Sequence, residues 1–86
     1  MSSASRHRSH VAVGRRLKRA EGHLRAVSGM LEGERDCLDV AQQLFAIERA
    51  VAEARRILIH DHVDHCLDSA TRREAVAELK ALSRYL

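Results

Sequence analysis

The sequence predicts an all-α fold in which a protomer of three helices, two long and one short, pairs with a second copy of itself. The chain has no proline and only four glycines, and it lacks the turn-bounded alternating runs that signal strands and hairpins. Apolar residues instead recur at alternating spacings of three and four, as on one face of a helix. Hydrophobic residues make up 45% of the 86 residues, but aromatic content is 2% and there are two cysteines. A chain this small has little else with which to build a core, so we expect its helices to complete one by association.

The first apolar stripe predicts the first long helix. Its members are spaced 4-3-4-3-4, namely Val13, Leu17, Ala20, Leu24, Val27 and Leu31. The segment "EGERD" interrupts the pattern, and Gly33 within it is suited to ending a helix. Residues 1–10 precede the stripe and are expected to form a mobile N-terminal segment. Residues 11–86 are then expected to form a single helical domain.

A second stripe predicts the second long helix, which should run to about Leu67. Asp36 is suited to the N-cap, and Asp39 lies in the first turn, where a negative charge favours the positive end of the helix. The stripe is spaced 3-4-3-4-3-4 through Cys37, Val40, Leu44, Ile47, Val51, Ala54 and Leu58.

The third helix is short and begins with a capping-box motif. In "TRRE", Thr71 and Glu74 are three residues apart, as the motif requires. Val76, Leu79 and Leu82 then continue the helical spacing. Two long antiparallel helices are half of a four-helix bundle, so we expect a second copy to complete the bundle. Helices this long do not match a helix-turn-helix DNA reader.

The basic residues are concentrated near the N-terminus. The formal net charge is only +3, but residues 6–25 contain one acid, Glu21. The bases in this range are Arg6, Arg8, Arg15, Arg16, Lys18, Arg19 and Arg25. Such an asymmetry is typical of proteins that bind a polyanion such as DNA, although it is also compatible with a solvated helix face. No apolar run reaches the length of a membrane span, and the N-terminus lacks a signal-peptide core, so we expect a cytoplasmic protein with reduced thiols.

The segment "HDHVDHC", residues 60–66, is dense in groups that can bind a metal. His62 and Cys66 are four residues apart and share a helix face. Cys37 precedes His62 by 25 residues, which is roughly 38 Å along a continuous helix. These side chains cannot meet within one chain, but they can in an antiparallel pair of identical helices. Taken singly, Cys37 could be a buried small hydrophobe and His62 a solvated histidine.

Together these motifs resemble the copper-sensitive operon repressor (CsoR) family. The resemblance covers roughly residues 13–86 and is carried by "RRLKRAEGHLRAVSGMLEGERDCLDVAQQLFAIERA" followed by "HDHVDHC". That family also includes nickel or cobalt sensors and formaldehyde or persulfide sensors. The resemblance implies an all-helical homodimer that pairs further into a homotetramer. It also implies a repressor that binds operator DNA when empty and releases it when the effector binds.

The resemblance assigns roles to particular residues. Cys37, His62 and Cys66 match the ligands of the copper sensors, and Glu78 in "VAEL" matches a carboxylate beside them. DNA contacts are expected from the basic residues of the first helix, namely Arg15, Arg16, Lys18, Arg19 and Arg25.

The identity of the effector depends on the chemistry of the ligands. Two thiolates and one imidazole form a soft set that favours Cu(I). Ni(II) or Co(II) would require more donors, which His7 or His10 could supply, because metal sensors of that type recruit an N-terminal ligand. A thiol-based formaldehyde or persulfide sensor and a cytosolic metal carrier are the alternatives. We expect no enzymatic activity, because no oxyanion donors accompany the nucleophile–base pair that Cys37 and a partner's His62 would form.

Overall fold

The chain forms three α-helices in the computed structural model, which describes the backbone of residues 3–69 and 71–86 and the side chains of residues 10–64 and 71–86. The helices are α1 (Ser3–Glu32), α2 (Cys37–Ser69) and α3 (Arg72–Leu82), and a 3₁₀ turn follows at Ser83–Tyr85. The predicted all-α protomer with a long-long-short order is confirmed. Within the described ranges, no helix is both long enough and apolar enough to cross a membrane.

The turn between α1 and α2 is closed by a left-handed residue, Glu34, with a φ of 56°. The Glu34 amide donates to the Leu31 carbonyl at 3.2 Å, and the Arg35 amide donates to the Met30 carbonyl at 3.0 Å. This pair of bonds is a Schellman motif, in which glycine usually occupies the left-handed position. The helix ends beside Gly33, as predicted, but the strained conformation falls on the residue after it.

α2 begins directly after Asp36, and the predicted capping box begins α3. The Val40 amide donates to the Asp36 carbonyl at 3.1 Å, so Asp36 directly precedes α2, and Asp39 lies in the first turn. At α3 the Glu74 amide donates to the Thr71 hydroxyl, and the Glu74 carboxylate accepts from the Thr71 amide, both at 3.2 Å. The capping box therefore forms as the sequence predicts.

The two long helices pack antiparallel, and every seventh residue of each stripe is buried between them. Val27 near the end of α1 forms a buried cluster with Val40 and Ile47 near the start of α2. The stripe residues that are at most 8% exposed are Val13, Ala20, Val27, Val40, Ile47 and Ala54. This interface is the core of the helical hairpin.

The remaining stripe residues form an exposed apolar face along the hairpin. These residues are each 40% to 62% exposed, and they are Leu17, Leu24, Leu31, Leu44, Val51 and Leu58. The molecule measures 54 × 25 × 13 Å, and its smallest dimension is about the diameter of one helix. The protomer is thus a single layer of helices, which cannot cover both sides of its own apolar stripes.

Candidate metal centre

The two candidate ligands that the structure describes lie near opposite ends of one helix. Cys37 is the first residue of α2 and is exposed, so within the protomer it is not a buried hydrophobe. His62 lies on the same uninterrupted helix, roughly 38 Å away along the axis. Among the described residues, no three His, Cys, Asp or Glu side chains are placed to hold a metal ion. The side chains of Cys66 and His7 lie outside the described residues.

His62 is held by a carboxylate from α3. Its Nε2 lies 2.8 Å from Oε1 of Glu78, 16 residues further along the chain. An ionised carboxylate only accepts hydrogen bonds, so His62 donates its Nε2–H, and in the neutral imidazole the lone pair then lies on Nδ1. The imidazole tautomer suited to binding a metal through Nδ1 is thereby selected. α3 reaches this position because it packs on the last turns of α2, where Ile59 and Ala75 are buried.

A cleft of about 310 Å³ surrounds the His62–Glu78 pair. It is lined by His10, Leu58, Ile59, His62, Glu78 and Leu82. The N-terminal part of α1, the end of α2 and the end of α3 therefore meet at one place. Of the two N-terminal histidines predicted as extra ligands, His10 lies at this cleft, and it is exposed.

The basic residues of α1 whose side chains the structure describes are exposed and available to a polyanion. The exposed residues are Arg15, Arg16, Lys18, Arg19 and Arg25. None of them makes an ion pair with another residue whose side chain the structure describes. Exposed cations without acidic partners keep their full electrostatic attraction for phosphate.

One polar contact between the long helices was not predicted from the sequence. His23 Nε2 and Gln43 Oε1 lie 2.5 Å apart, and both residues are half-buried in the middle of the hairpin. His23 belongs to the "EGH" segment of the motif, but periodicity alone gives no sign that it faces Gln43.

Comparison with known protein families is consistent with this geometry. The profile of a family described as "Metal-sensitive transcriptional repressor" matches residues 9–85. The chain belongs to the metal-sensitive transcriptional repressor family. The match confirms the resemblance to CsoR proteins, and with it the prediction of a repressor family rather than an enzyme.

Individual relatives share a third or more of the aligned residues. The copper-sensing transcriptional repressor CsoR of Mycobacterium ulcerans is 40% identical over 55 residues, which are 64% of this chain and 47% of that protein. CsoR of Bacillus subtilis is 34% identical over 71 residues, covering 78% of this chain and 70% of the relative. The copper-sensing repressor RicR of Mycobacterium tuberculosis is 34% identical over 56 residues, or 65% and 58% of the two chains. The chain thus spans about half the length of the Mycobacterium ulcerans relative.

Proposed function

We propose that this protein is a copper-responsive transcriptional repressor that binds operator DNA when metal-free and releases it on binding Cu(I). The metal site is formed by Cys37 of one subunit with His62 and Cys66 of the partner subunit. One observation carries the proposal. An exposed apolar face runs along α2, and Cys37 lies near one end of this helix while His62 lies near the other.

This arrangement follows from the need to cover the exposed face. A one-layer hairpin with exposed leucines gains free energy by packing on a second layer, and an identical hairpin supplies a matching stripe. If two copies of α2 pair antiparallel, the start of one lies beside the end of the other. Cys37 is then near His62 of the partner subunit, and two-fold symmetry creates two equivalent sites. We propose that such dimers pair further into tetramers in the cytoplasm.

The donors suit copper. Thiolates select soft Cu(I), and two thiolates with one imidazole satisfy a trigonal ion. The hydrogen bond from His62 to Glu78 orients the imidazole ring, as a carboxylate commonly does for a histidine ligand. The aligned relatives are themselves named copper-sensing repressors.

DNA binding and metal binding are coupled in this proposal. The exposed cations of α1 contact phosphates, so DNA affinity should fall steeply with salt. Cu(I) can release the protein from DNA only if it binds more tightly to the dimer arrangement that fits DNA poorly. A metal ion held between subunits supplies this difference, because its affinity depends on how the two α2 helices are placed.

Complementation between variants tests the shared site. A Cys37→Ala protein is mixed with a His62→Ala/Cys66→Ala protein under conditions that exchange subunits. Neither homodimer has a complete site, whereas each heterodimer should recover one and bind Cu(I). A His60→Ala protein serves as a control that should keep both sites. If confirmed exchange restores no copper binding, the inter-subunit site is wrong.

A second candidate is a nickel- or cobalt-sensing repressor. The position of His10 favours it, since this imidazole lines the same cleft as His62 and Glu78. Nickel and cobalt accept more nitrogen and oxygen donors than Cu(I) does. Competition titration of the reduced protein with Cu(I), Ni(II) and Co(II), read together with DNA release, distinguishes the two candidates.

A further inference from the structure

Two charged residues interrupt the exposed face of α2 that the proposed dimer would bury. We call this surface the pairing face, and its members are spaced alternately by four and three: Cys37, Ala41, Leu44, Glu48, Val51, Arg55, Leu58 and His62. Glu48 and Arg55 are both exposed and line one open cleft on α2. A charge in the middle of an apolar interface is costly unless an opposite charge meets it.

Neither charge has a partner within its own helix. Residues three and four positions away are the ones that a helical side chain can reach. For Glu48 and Arg55 all of these are apolar: Leu44, Phe45, Val51, Ala52, Leu58 and Ile59. Neither residue makes an ion pair with any other side chain that the structure describes. The adjacent Arg56 differs, because it pairs with Glu53 on the same helix.

The positions of the two charges match the symmetry of the proposed dimer. In an antiparallel pair of identical helices, residues equidistant from the two-fold axis face each other. The midpoint between Cys37 and Cys66 falls between residues 51 and 52, and the midpoint between Glu48 and Arg55 falls at the same place. If Cys37 lies opposite Cys66 of the partner subunit, the same register brings Glu48 opposite Arg55 of the partner subunit, and the partner's His62 lies about one turn from its Cys66.

We propose that two reciprocal ion pairs between Glu48 and the partner subunit's Arg55 fix the register of the α2 pair, and so position Cys37 against the partner's ligands. This inference rests on the proposed inter-subunit site and names what aligns it. A slip of one heptad in one direction would set Glu48 against Glu48, and a slip in the other direction would set Arg55 against Arg55. The same two charges thus favour one register and disfavour its neighbours, as polar residues do in coiled coils.

Charge reversal tests the ion pairs. Glu48→Arg alone and Arg55→Glu alone each create two like-charge contacts per dimer, so each should raise the dimer dissociation constant by at least about tenfold at low salt. The Glu48→Arg/Arg55→Glu double variant restores both pairs in reversed order and should dimerise about as tightly as the natural chain. Arg56→Glu is the matched control and should leave dimerisation unchanged. Sedimentation equilibrium measures dimerisation, and circular dichroism verifies that each variant is helical.

A second test mixes the two single variants, and its result does not depend on the stability of either homodimer. In the heterodimer, both charges on the pairing face of the Glu48→Arg chain are positive, and both charges on the pairing face of the Arg55→Glu chain are negative. Each charge therefore meets an opposite charge on the partner subunit. We therefore expect heterodimers well in excess of the statistical half by native mass spectrometry. A parallel pairing would set each position against itself, and the single variants would then dimerise no more weakly than the natural chain.

The outcomes separate this inference from the proposed function. If the natural chain binds Cu(I) between subunits but charge reversal leaves dimerisation unchanged, the ion pairs are wrong and the site stands. If Arg55→Glu abolishes DNA binding but not dimerisation, Arg55 contacts phosphate and the inference is overturned. A natural chain that is monomeric with and without Cu(I) would overturn both.

Discussion

Replacing Glu78 by alanine should weaken Cu(I) binding without removing any proposed ligand. Glu78 accepts the Nε2–H of His62 at 2.8 Å, and loss of such a partner typically costs 10- to 100-fold in metal affinity. The side chains of His62 and Glu78 are 31% and 48% exposed, so water screens the interaction and can replace part of it. We therefore expect the lower end of that range, roughly tenfold, which corresponds to about 1.4 kcal/mol.

A graded pair of variants separates orientation from charge. Glu78→Gln keeps an amide oxygen that can accept from His62 Nε2–H, so it should lose less affinity than Glu78→Ala. Glu74→Ala is the control on the same helix, because it removes one half of the capping box and should affect the stability of α3 rather than copper affinity. The assay is competition for Cu(I) with a chromophoric chelator under anaerobic, reducing conditions, with helicity measured in parallel. Native affinity in the alanine variant would refute a role for Glu78 in orienting His62.

Three other predictions address the turn, the DNA surface and the metal. Glu34→Gly should raise the free energy of unfolding by about 1 kcal/mol, because glycine tolerates the left-handed φ at this position. Gly33→Ala, one residue earlier, should not lower the free energy of unfolding by a similar amount. Urea unfolding at equal protomer concentration measures both variants, and the reverse pattern would contradict the Schellman assignment. Arg15→Ala combined with Lys18→Ala should weaken operator binding and reduce the salt slope by about 2, so unchanged gel shifts at two salt concentrations would exclude both as phosphate contacts. A chain lacking residues 1–10 should bind Cu(I) like the full chain; if it instead loses nickel-driven DNA release that the full chain shows, the nickel alternative replaces copper.

Local sequence patterns were sufficient to predict the three helices and the starts of α2 and α3. The capping box of Thr71 and Glu74 forms because both partners lie within one turn, where no distant residue is needed. Asp36 directly precedes α2 and Asp39 lies in its first turn, as the sequence predicts. The motif around Cys37 and His62 also indicated the family, which the profile match confirms.

Sequence alone also determined that Cys37 and His62 cannot meet within one chain, because their separation follows from the rise of a helix. Periodicity identifies which residues share a face, but not which neighbour covers it. Only the tertiary structure showed that Val40 and Ile47 face α1 whereas Leu44 and Val51 stay exposed. That division depends on the rotation of one helix about another, which the spacing of a stripe leaves open.

The remaining contacts depend on how distant segments fold back on one another. Glu78 reaches His62 only because α3 packs on the end of α2, which brings together two residues that are 16 positions apart in the sequence. The left-handed φ falls on Glu34 rather than Gly33 because the two Schellman hydrogen bonds and the start of α2 together set that conformation. Residue type favours glycine at such a position, but the closure of the turn between two packed helices decides which residue occupies it.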